Sequence, residues 1–394
     1  MTASARPAPT APVCRACGSP DLVLRGKKSG EFIRTEFAFH RCRACELLFV
    51  EPFSGFEIYN DAYYRGAGPD PFVDYETEYR DYRRTDRALE FADLARLAEA
   101  HLVASAASSP SSPAPLAWLD FGCGAGGFLK FLRERATFAG RPLALTGHDV
   151  GSYAELLRST DGFRILDFAA ITREPSAQFD VISLIEVIEH LPEPAATIAL
   201  VSRLLKPGGL LLLTTGNLDS PVARRHGIHY RYCAPEIHVS LFNPRCLARL
   251  YAAHGLTPLP VRYDGTVVFK VVKSLRHRPV LRAVARLALH FPPFVRLVDH
   301  LYGVSAMPCA VKPGRADGPT PSPGRPVLHS CLFVPLSGSF PPSPQCRPRL
   351  SLTRPSSTAP SPSSFPFTTR PRPSANPSTP SSPNRSPAGR SRSF

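Results

Sequence analysis

No run of 18 apolar residues occurs in the 394-residue chain, which excludes a membrane-spanning helix of ordinary length. The first twelve residues, Met1 to Pro12, lack an apolar core, so no secretory signal is expected. Ten cysteines are too few and too scattered for a disulfide scaffold in a chain of this length, and they suit a reducing cytoplasm better. Acidic residues are also scarce: 32 Asp and Glu stand against 47 Lys and Arg, a net charge of +15. That surplus invites a nucleic-acid reading, but it is unevenly placed. From Pro313 to Phe394 there are ten Arg, no Lys and one Asp, so the first 312 residues carry only +6. Phosphate tracking needs a dense Lys/Arg stripe, and a mildly basic core argues against nucleic acid as partner.

What is present centres on Leu119-Asp120-Phe121-Gly122-Cys123-Gly124-Ala125-Gly126-Gly127-Phe128. Leu116 to Phe121 reads as a buried strand, and Gly127 to Arg135 carries Phe128, Leu129, Phe131 and Leu132 at helical spacing. The glycines between them let backbone approach a ligand at a strand end and a helix start. Gly122-x-Gly124-x-x-Gly127 alone would also pass for a dinucleotide fingerprint. Asp120 shifts the balance, because a carboxylate beneath the turn suits the cationic amino-acid end of S-adenosylmethionine better than a pyrophosphate.

The following segments alternate in the order an open, mostly parallel α/β sheet requires. Leu143 to Val150 is a strand ending in Asp149, placed 23 residues after Gly126, where an acid would hold a ribose diol; Asp149 could equally cap a helix over Ser152 to Ser159. Phe163 to Phe168 is a third strand, with Asp167 and Phe168 at its end for the adenine. Phe179 to Ile185 is a fourth, fit for a sheet covered on both faces. A helix over Ala195 to Leu205, closed by Lys206-Pro207-Gly208-Gly209, leads to a fifth strand at Leu210 to Thr215.

Asp120-Phe121-Gly122-Cys123-Gly124-Ala125-Gly126, Asp149, Phe179-Asp180-Val181-Ile182-Ser183, Glu186-Val187-Ile188-Glu189-His190-Leu191 and Leu205-Lys206-Pro207-Gly208-Gly209 resemble, in register and order, the class I S-adenosylmethionine-dependent methyltransferases. The resemblance spans roughly residues 116 to 262 and extends toward 312. It implies a Rossmann-like sheet of seven strands with helices on both faces, the last strand antiparallel. It also implies cofactor above the first strands and acceptor facing the fourth and fifth. Asp120, Gly122, Gly124, Gly126, Asp149, Asp167 and Phe168 are then the cofactor-binding residues.

Ahead of this core, Cys14-x-x-Cys17 and Cys42-x-x-Cys45 have the spacing of a four-thiolate zinc ribbon. So small a segment cannot bury enough core by itself, which makes a structural zinc its staple. Four thiolates leave no open coordination position, so the site reads as structural. His40 reads as a solvated ribbon residue, and Phe32 to Phe39 and Leu47 to Val50 as short strands. The aromatic connector contains Tyr59, Tyr63, Tyr64, Tyr75, Tyr79 and Tyr82, which could line the cofactor mouth as a lid or pack a helix onto the sheet. Asp86 to Leu102 reads as an amphipathic helix with Leu89, Ala92, Leu94, Ala95, Leu97 and Ala98 available for its buried face. The ribbon, the Tyr63-Tyr64-Arg65-Gly66 segment and the core together resemble a small-molecule branch of the family, some members of which methylate carbons of nucleotide-linked deoxysugars.

Methyl transfer from a sulfonium requires alignment of the acceptor and, for a hydroxyl or acidic carbon, removal of its proton. Candidates fall in two clusters. Glu186, Glu189 and His190 follow the fourth strand; their spacing could hold a divalent cation, as in the quinone-precursor O-methyltransferases that this stretch resembles, or simply shape the pocket. His226, His229, Tyr230, Tyr232, Glu236 and His238 follow the fifth. There Phe242-Asn243-Pro244 reads as a helix start with Asn243 as cap and Pro244 in the first turn. His229 stands near where the family commonly has a Trp. His238, with Glu186 and His190, is the expected acceptor-facing set, His238 as base or substrate contact. A sixth strand is expected at Leu256 to Tyr263, a strand or helix at Val267 to Val272, a helix at Val280 to Leu289 covering the acceptor pocket or lying on a membrane surface, and a closing antiparallel strand at Ser305 to Val311.

The tail holds twenty of the 44 prolines with Ser, Arg and almost no acid, and is expected to be disordered. Five segments result: a disordered start at 1–12, a zinc ribbon at 13–52, a connector at 53–115, the methyltransferase domain at 116–312 and the tail at 313–394. The function implied is a cytoplasmic methyltransferase acting on a small-molecule acceptor. Two rivals remain: an RNA-base methyltransferase using its ribbon for recognition, against which Ile185-Glu186-Val187 is not the Pro-Pro-aromatic type, and a non-catalytic nucleotide-binding interaction protein. Acceptor, methylated atom and oligomeric state are not legible.

Overall fold

In the computed structural model the ribbon strands come first: β1 (Leu22–Ser29), β2 (Glu36–Cys42) and β3 (Leu48–Glu51) form an antiparallel meander. The structure describes residues 12–70, 74–106, 114–135, 137–275, 278–287 and 291–314. The expectations for residues 1–11, for most of the 104–115 linker and for the tail beyond 314 lie outside them. β1 was not expected, and the segment Ile33 to Thr35 assigned to a strand is instead a turn. LVLRGKKS has only the three apolar residues Leu22 to Leu24 at its start, and the strand lies at a sheet edge, half exposed along its length.

The connector holds α1 (Tyr75–Asp81) and α2 (Arg87–Ala106). On α2, Phe91, Leu94, Ala95 and Ala98 are buried, whereas Ala92, expected inside, is exposed. Asp93 takes its place toward the core by accepting the Thr266 N–H (2.8 Å) and hydroxyl (3.2 Å).

The large sheet and the elements around it then follow in chain order as β4 (Leu116–Phe121), α3 (Gly127–Arg133), β5 (Leu143–His148), α4 (Tyr153–Ser159), β6 (Arg164–Leu166), α5 (Phe168–Arg173), β7 (Phe179–Ile185), α6 (Pro194–Leu204), β8 (Leu205–Thr214), α7 (Pro221–His226), β9 (Ser240–Leu241), α8 (Pro244–Ala253), β10 (Thr257–Leu259), α9 (Gly265–Ser274), α10 (Pro279–Leu287), α11 (Pro292–Tyr302) and β11 (Cys309–Val311). Its seven strands run in the order β10-β11-β8-β7-β4-β5-β6. β4 pairs in parallel with both β5 and β7, so the chain reverses its direction of travel across the sheet at β4. Ligands of open α/β sheets sit at the carboxyl edge of such a switch point. β11 is antiparallel to β8 and β10, the closing strand that the resemblance implied.

Two expectations are corrected, and one left open is decided. The sixth strand shrinks to β10, because Pro260 offers no N–H to the ladder and the chain from there to the buried Tyr263 leaves the sheet. Val267 to Val272 is helical, since Val267, Val268 and Val272 share one buried stripe against α2 and the sheet. The Lys206-Pro207-Gly208-Gly209 segment belongs to the start of β8 rather than to a helix end. Asn243 does cap α8, its side chain accepting the Cys246 N–H at 2.7 Å, with Pro244 opening the helix.

The ribbon is continuous with this core. β9, taken from the segment after β8, pairs with β3 as the fourth strand of the ribbon sheet. Cys14, Cys42, Cys45, Leu47 and Phe49 pack in one apolar cluster with Phe242, Leu247 and the β7 residue Leu184. No helix among the described residues is long and apolar enough to cross a membrane.

Candidate active site

The glycine turn after β4 is shaped by left-handed backbone. Gly122 and Gly124 have φ of 78° and 52°. A Cβ on Gly122 would stand 2.5 Å from Val187, and one on Gly124 would stand 2.7 Å from the Tyr75 ring. The His148 carbonyl accepts the Gly122 and Cys123 N–H groups (2.7 and 3.0 Å). The Asp149 carboxylate accepts the Gly124 N–H (2.8 Å) through one oxygen and the Gly151 N–H (2.7 Å) through the other. Asp149 therefore braces the turn and does not cap α4, whose N-cap is Ser152. Gly126, also at positive φ, precedes α3.

Beneath the turn Asp120 is 3% exposed and accepts the Ser183 hydroxyl at 2.6 Å. Burial raises its carboxyl to about 7, more than the Ser183 bond and the nearby Arg87 guanidinium lower it. A carboxylate so poorly compensated fits a cationic ligand, and the glycine cradle fits close backbone approach; the two together suit the aminoacyl end of S-adenosylmethionine. Asp167 and Phe168 stand apart from this group. Asp167 caps α5 by accepting the Ala170 N–H (2.7 Å), and Phe168 is 62% exposed with its ring 6.5 Å from that of His148.

A cavity of ≈ 360 Å³ is lined in part by Tyr75 and Glu78, which also stand against Gly124 and Gly127 of the turn. Glu186, His190 and His238, from two separate segments, all face it. Glu186 directly follows β7 at φ 55°, an unusual conformation for a non-glycine residue and one often found at functional sites. The His190 and His238 rings are 4.8 Å apart. His190 Nδ1 donates to the Ile237 carbonyl (3.0 Å) and lies 2.8 Å from the Tyr59 hydroxyl. His238 Nδ1 lies 2.6 Å from the Tyr232 carbonyl, which can only accept. The proton is therefore on Nδ1, and Nε2 holds the lone pair. Burial, then the neighbouring His190, lowers His238 to about 3, so its imidazole is neutral throughout the physiological range.

Two residues weighed only in passing prove central. Glu189 is fully buried and accepts hydroxyl bonds from Thr215 (2.9 Å) and Tyr232 (2.5 Å). Burial and the Glu186 charge raise its carboxyl to about 8. The Tyr232 hydroxyl in turn accepts the Gly216 N–H at 2.7 Å, which ties the segment after β8 back to the strand end. Arg87, at the start of α2, was not anticipated. It pairs with Glu78 (3.3 Å) and Glu90 (3.8 Å) on the cavity wall, close enough to Asp120 to influence its ionisation. Only the distance in sequence between α2 and β4 hid it. By contrast His226 and His229 are exposed and do not line the cavity, and the Glu236 carboxylate turns into the ribbon, where it accepts the Glu31 and Phe32 N–H groups (3.1 and 2.7 Å).

Tyr63, Tyr64, Tyr75 and Tyr153 pack edge to face or tilted over the turn and the cavity mouth. In the ribbon the Cys14 and Cys45 sulfurs are 3.4 Å apart and those of Cys17 and Cys42 3.6 Å apart, all four within 4.8 Å. Sulfurs on a tetrahedral zinc at ~2.3 Å are separated by about 3.8 Å, so the set fits such an ion. His40 is not among them; it stacks on Phe49.

A family model described as a methyltransferase domain matches residues 84–261. The match covers a little under half of the chain, and over that stretch the chain is similar to a methyltransferase domain. Its curated relatives include the ubiquinone biosynthesis O-methyltransferases of Pseudomonas aeruginosa (39% identical over 108 residues, 25% of this chain and 44% of that protein) and Paracidovorax citrulli (36% over 106 residues, 26% and 44%). The chain thus spans less than half the length of these relatives. Among solved structures, the methyltransferase domain is similar to a putative sarcosine dimethylglycine methyltransferase from Galdieria sulphuraria (18% identity, 55% of this chain and 86% of that one, TM-score 0.34). It is also similar to CalS10, an amino pentose methyltransferase from Micromonospora echinaspora (28%, 36% and 55%, TM-score 0.27).

Two outcomes follow for the cofactor crevice. Gly122→Ala forces a side chain into Val187 at a left-handed position and is expected to weaken S-adenosylhomocysteine binding at least about tenfold by calorimetry. Affinity for S-adenosylmethionine is expected to rise with pH through about 7, as Asp120 ionises to meet the cation, and to level off above. For the unliganded fold the sign reverses. The folded carboxyl holds its proton more tightly than the unfolded one, so this residue's contribution to stability falls as pH rises from about 4 to about 7. Asp120→Asn is expected to remove both pH steps.

Proposed function

We propose that the chain methylates a small-molecule acceptor bound in the ≈ 360 Å³ cavity, using S-adenosylmethionine and His238 as general base. The carrying observation is that a cavity of small-molecule size gathers Glu186, Glu189, His190 and His238 and shares Tyr75 and Glu78 with the glycine turn above Asp120. When bound, S-adenosylmethionine supplies an electrophilic methyl group on a sulfonium. Asp120 and the amides of the glycine turn hold its aminoacyl end, and Asp149, with Asp167 and Phe168 farther out, serves the ribose and adenine. The neutral Nε2 of His238 takes the proton from the acceptor hydroxyl or acidic carbon as the new bond to the methyl forms. The Tyr232 carbonyl on Nδ1 keeps that tautomer in place. Glu189, held by Thr215 and Tyr232, and His190 orient the acceptor. The four ribbon cysteines hold a structural zinc, which suits a reducing cytoplasm, and the short relatives with ubiquinone or amino-sugar names favour a small acceptor over RNA.

A second reading has one observation in its favour: Glu189, His190 and His238 offer one oxygen and two nitrogens within 4.8 Å, a set able to hold a divalent cation against the acceptor.

The test is methyl transfer from labelled S-adenosylmethionine to a panel of phenols, catechols, sugar nucleotides and RNA. A small molecule is expected to be labelled; labelling of RNA alone, or none of the cofactor bound, overturns the proposal. His238→Ala is expected to lower kcat on the order of 10²–10⁴-fold with cofactor affinity within about twofold. Because His238 titrates near 3, no acid limb from it is expected between pH 5 and 7. If chelator dialysis that leaves one zinc per chain abolishes turnover and Mg²⁺ restores it, the cation reading displaces the base reading.

A further inference from the structure

The acceptor wall is bolted to the ribbon at four places. Glu236, 3% exposed and two residues before His238, accepts the backbone N–H groups of Glu31, Phe32 and Ile33 at the tip of the β1–β2 hairpin. Lys28 on β1 donates to the Cys233 carbonyl at 3.0 Å. Val239 sits between the two halves: its carbonyl accepts the Val50 N–H (3.1 Å) from β3, and its N–H donates to the Glu189 carbonyl (2.8 Å). Glu46, directly after the knuckle cysteine Cys45, accepts from Asn243 Nδ2 and the Arg245 guanidinium, both at 2.9 Å. Arg249 adds a bond to the Ala44 carbonyl (2.8 Å). The segment 232–243 thus hangs between β8 on one side and the cysteine-held ribbon on the other. The turn that forms the cofactor crevice is braced instead by His148 and Asp149.

We propose that the four-cysteine site works as a clamp on the acceptor side of the active site, transmitting metal occupancy through Glu46, Val50 and Glu236 to the placement of Tyr232, His238 and Glu189. Zinc on Cys14, Cys17, Cys42 and Cys45 fixes the second knuckle, and that knuckle aims Glu46 and starts β3. With β3 in place, Val239 is held against Glu189, and the carboxylate of Glu236 locks the hairpin tip against the base of the same segment. Glu236 is therefore a positioning residue, and the ribbon is part of the acceptor pocket's frame. The functional weight of this clamp rests on the acceptor reading above, but its structural effect does not.

Hydrogen exchange on the full chain, with and without zinc, tests it under reducing conditions. Removing zinc with a high-affinity chelator is expected to speed exchange at residues 232–243 and at Val50 by about tenfold or more. Exchange at 120–127 and calorimetric affinity for S-adenosylhomocysteine are expected to stay within about twofold. Glu236→Ala is expected to keep one zinc per chain by atomic absorption and still loosen 31–33 and 232–243; Glu236→Gln, which retains an acceptor oxygen, is expected to restore most of that protection. Unchanged exchange at 232–243 on zinc removal overturns the proposal, and so does loosening of 120–127 in parallel, which would mean general unfolding. Neither readout uses an acceptor, so a chain that loosens as described yet methylates nothing would defeat the functional reading and leave the clamp standing.

Discussion

Negative charge taken out of water with too little positive charge beside it is the constraint from which the site follows. Asp120 and Glu189 are buried within reach of one cavity, and Arg87 is engaged by Glu78 and Glu90. Desolvation, with neighbouring carboxylates such as Glu186 beside Glu189 adding to it, pushes both buried carboxyls upward, so the protein tolerates them either protonated or opposite a cation. In the proposed function the ammonium group of a sulfonium donor provides that cation at Asp120. At Glu189 the hydroxyls of Thr215 and Tyr232 take up the lone pairs. Two acids some 70 residues apart in sequence thereby receive different roles from their surroundings: one waits for a ligand, the other has its partners already.

Legibility in the sequence followed the range of the interactions. The glycine turn, Asp120 and Asp149 could be read because a strand end, a turn and the next strand end are local features whose residue types are dictated by backbone geometry. The convergence of Glu186, His190 and His238 was legible as two clusters after two adjacent strands. The dividing line ran within the second cluster. Tyr232 and His238 turn inward, His226 and His229 face solvent, and Glu236 serves another part of the molecule. Nothing in the spacing of five polar residues on one loop separates these fates; only the surfaces above and below the loop do. Arg87 was hidden because its partners come from α1, α2 and the end of β4 together.

Segment type failed where burial was one-sided or total. β1 opens on Leu22, Val23 and Leu24 but continues with charged and small residues at an open edge, so its apolar signal is too short to mark a strand. Val267 to Val272 has apolar residues at nearly every position, which leaves helix and strand undistinguished until α2 and the sheet show which face is covered.

β9 is two residues long, yet it is the fourth strand of a sheet whose other three lie roughly 190 residues earlier, a closure that is entropically slow to find. The amino-terminal module therefore acquires its final edge only after most of the chain has been made. It is not a detachable cassette: exchanging it for the equivalent part of another protein would leave Glu236, Val239 and Asn243 facing the wrong surface, and any chimera would have to carry residues 230–246 along with the first fifty.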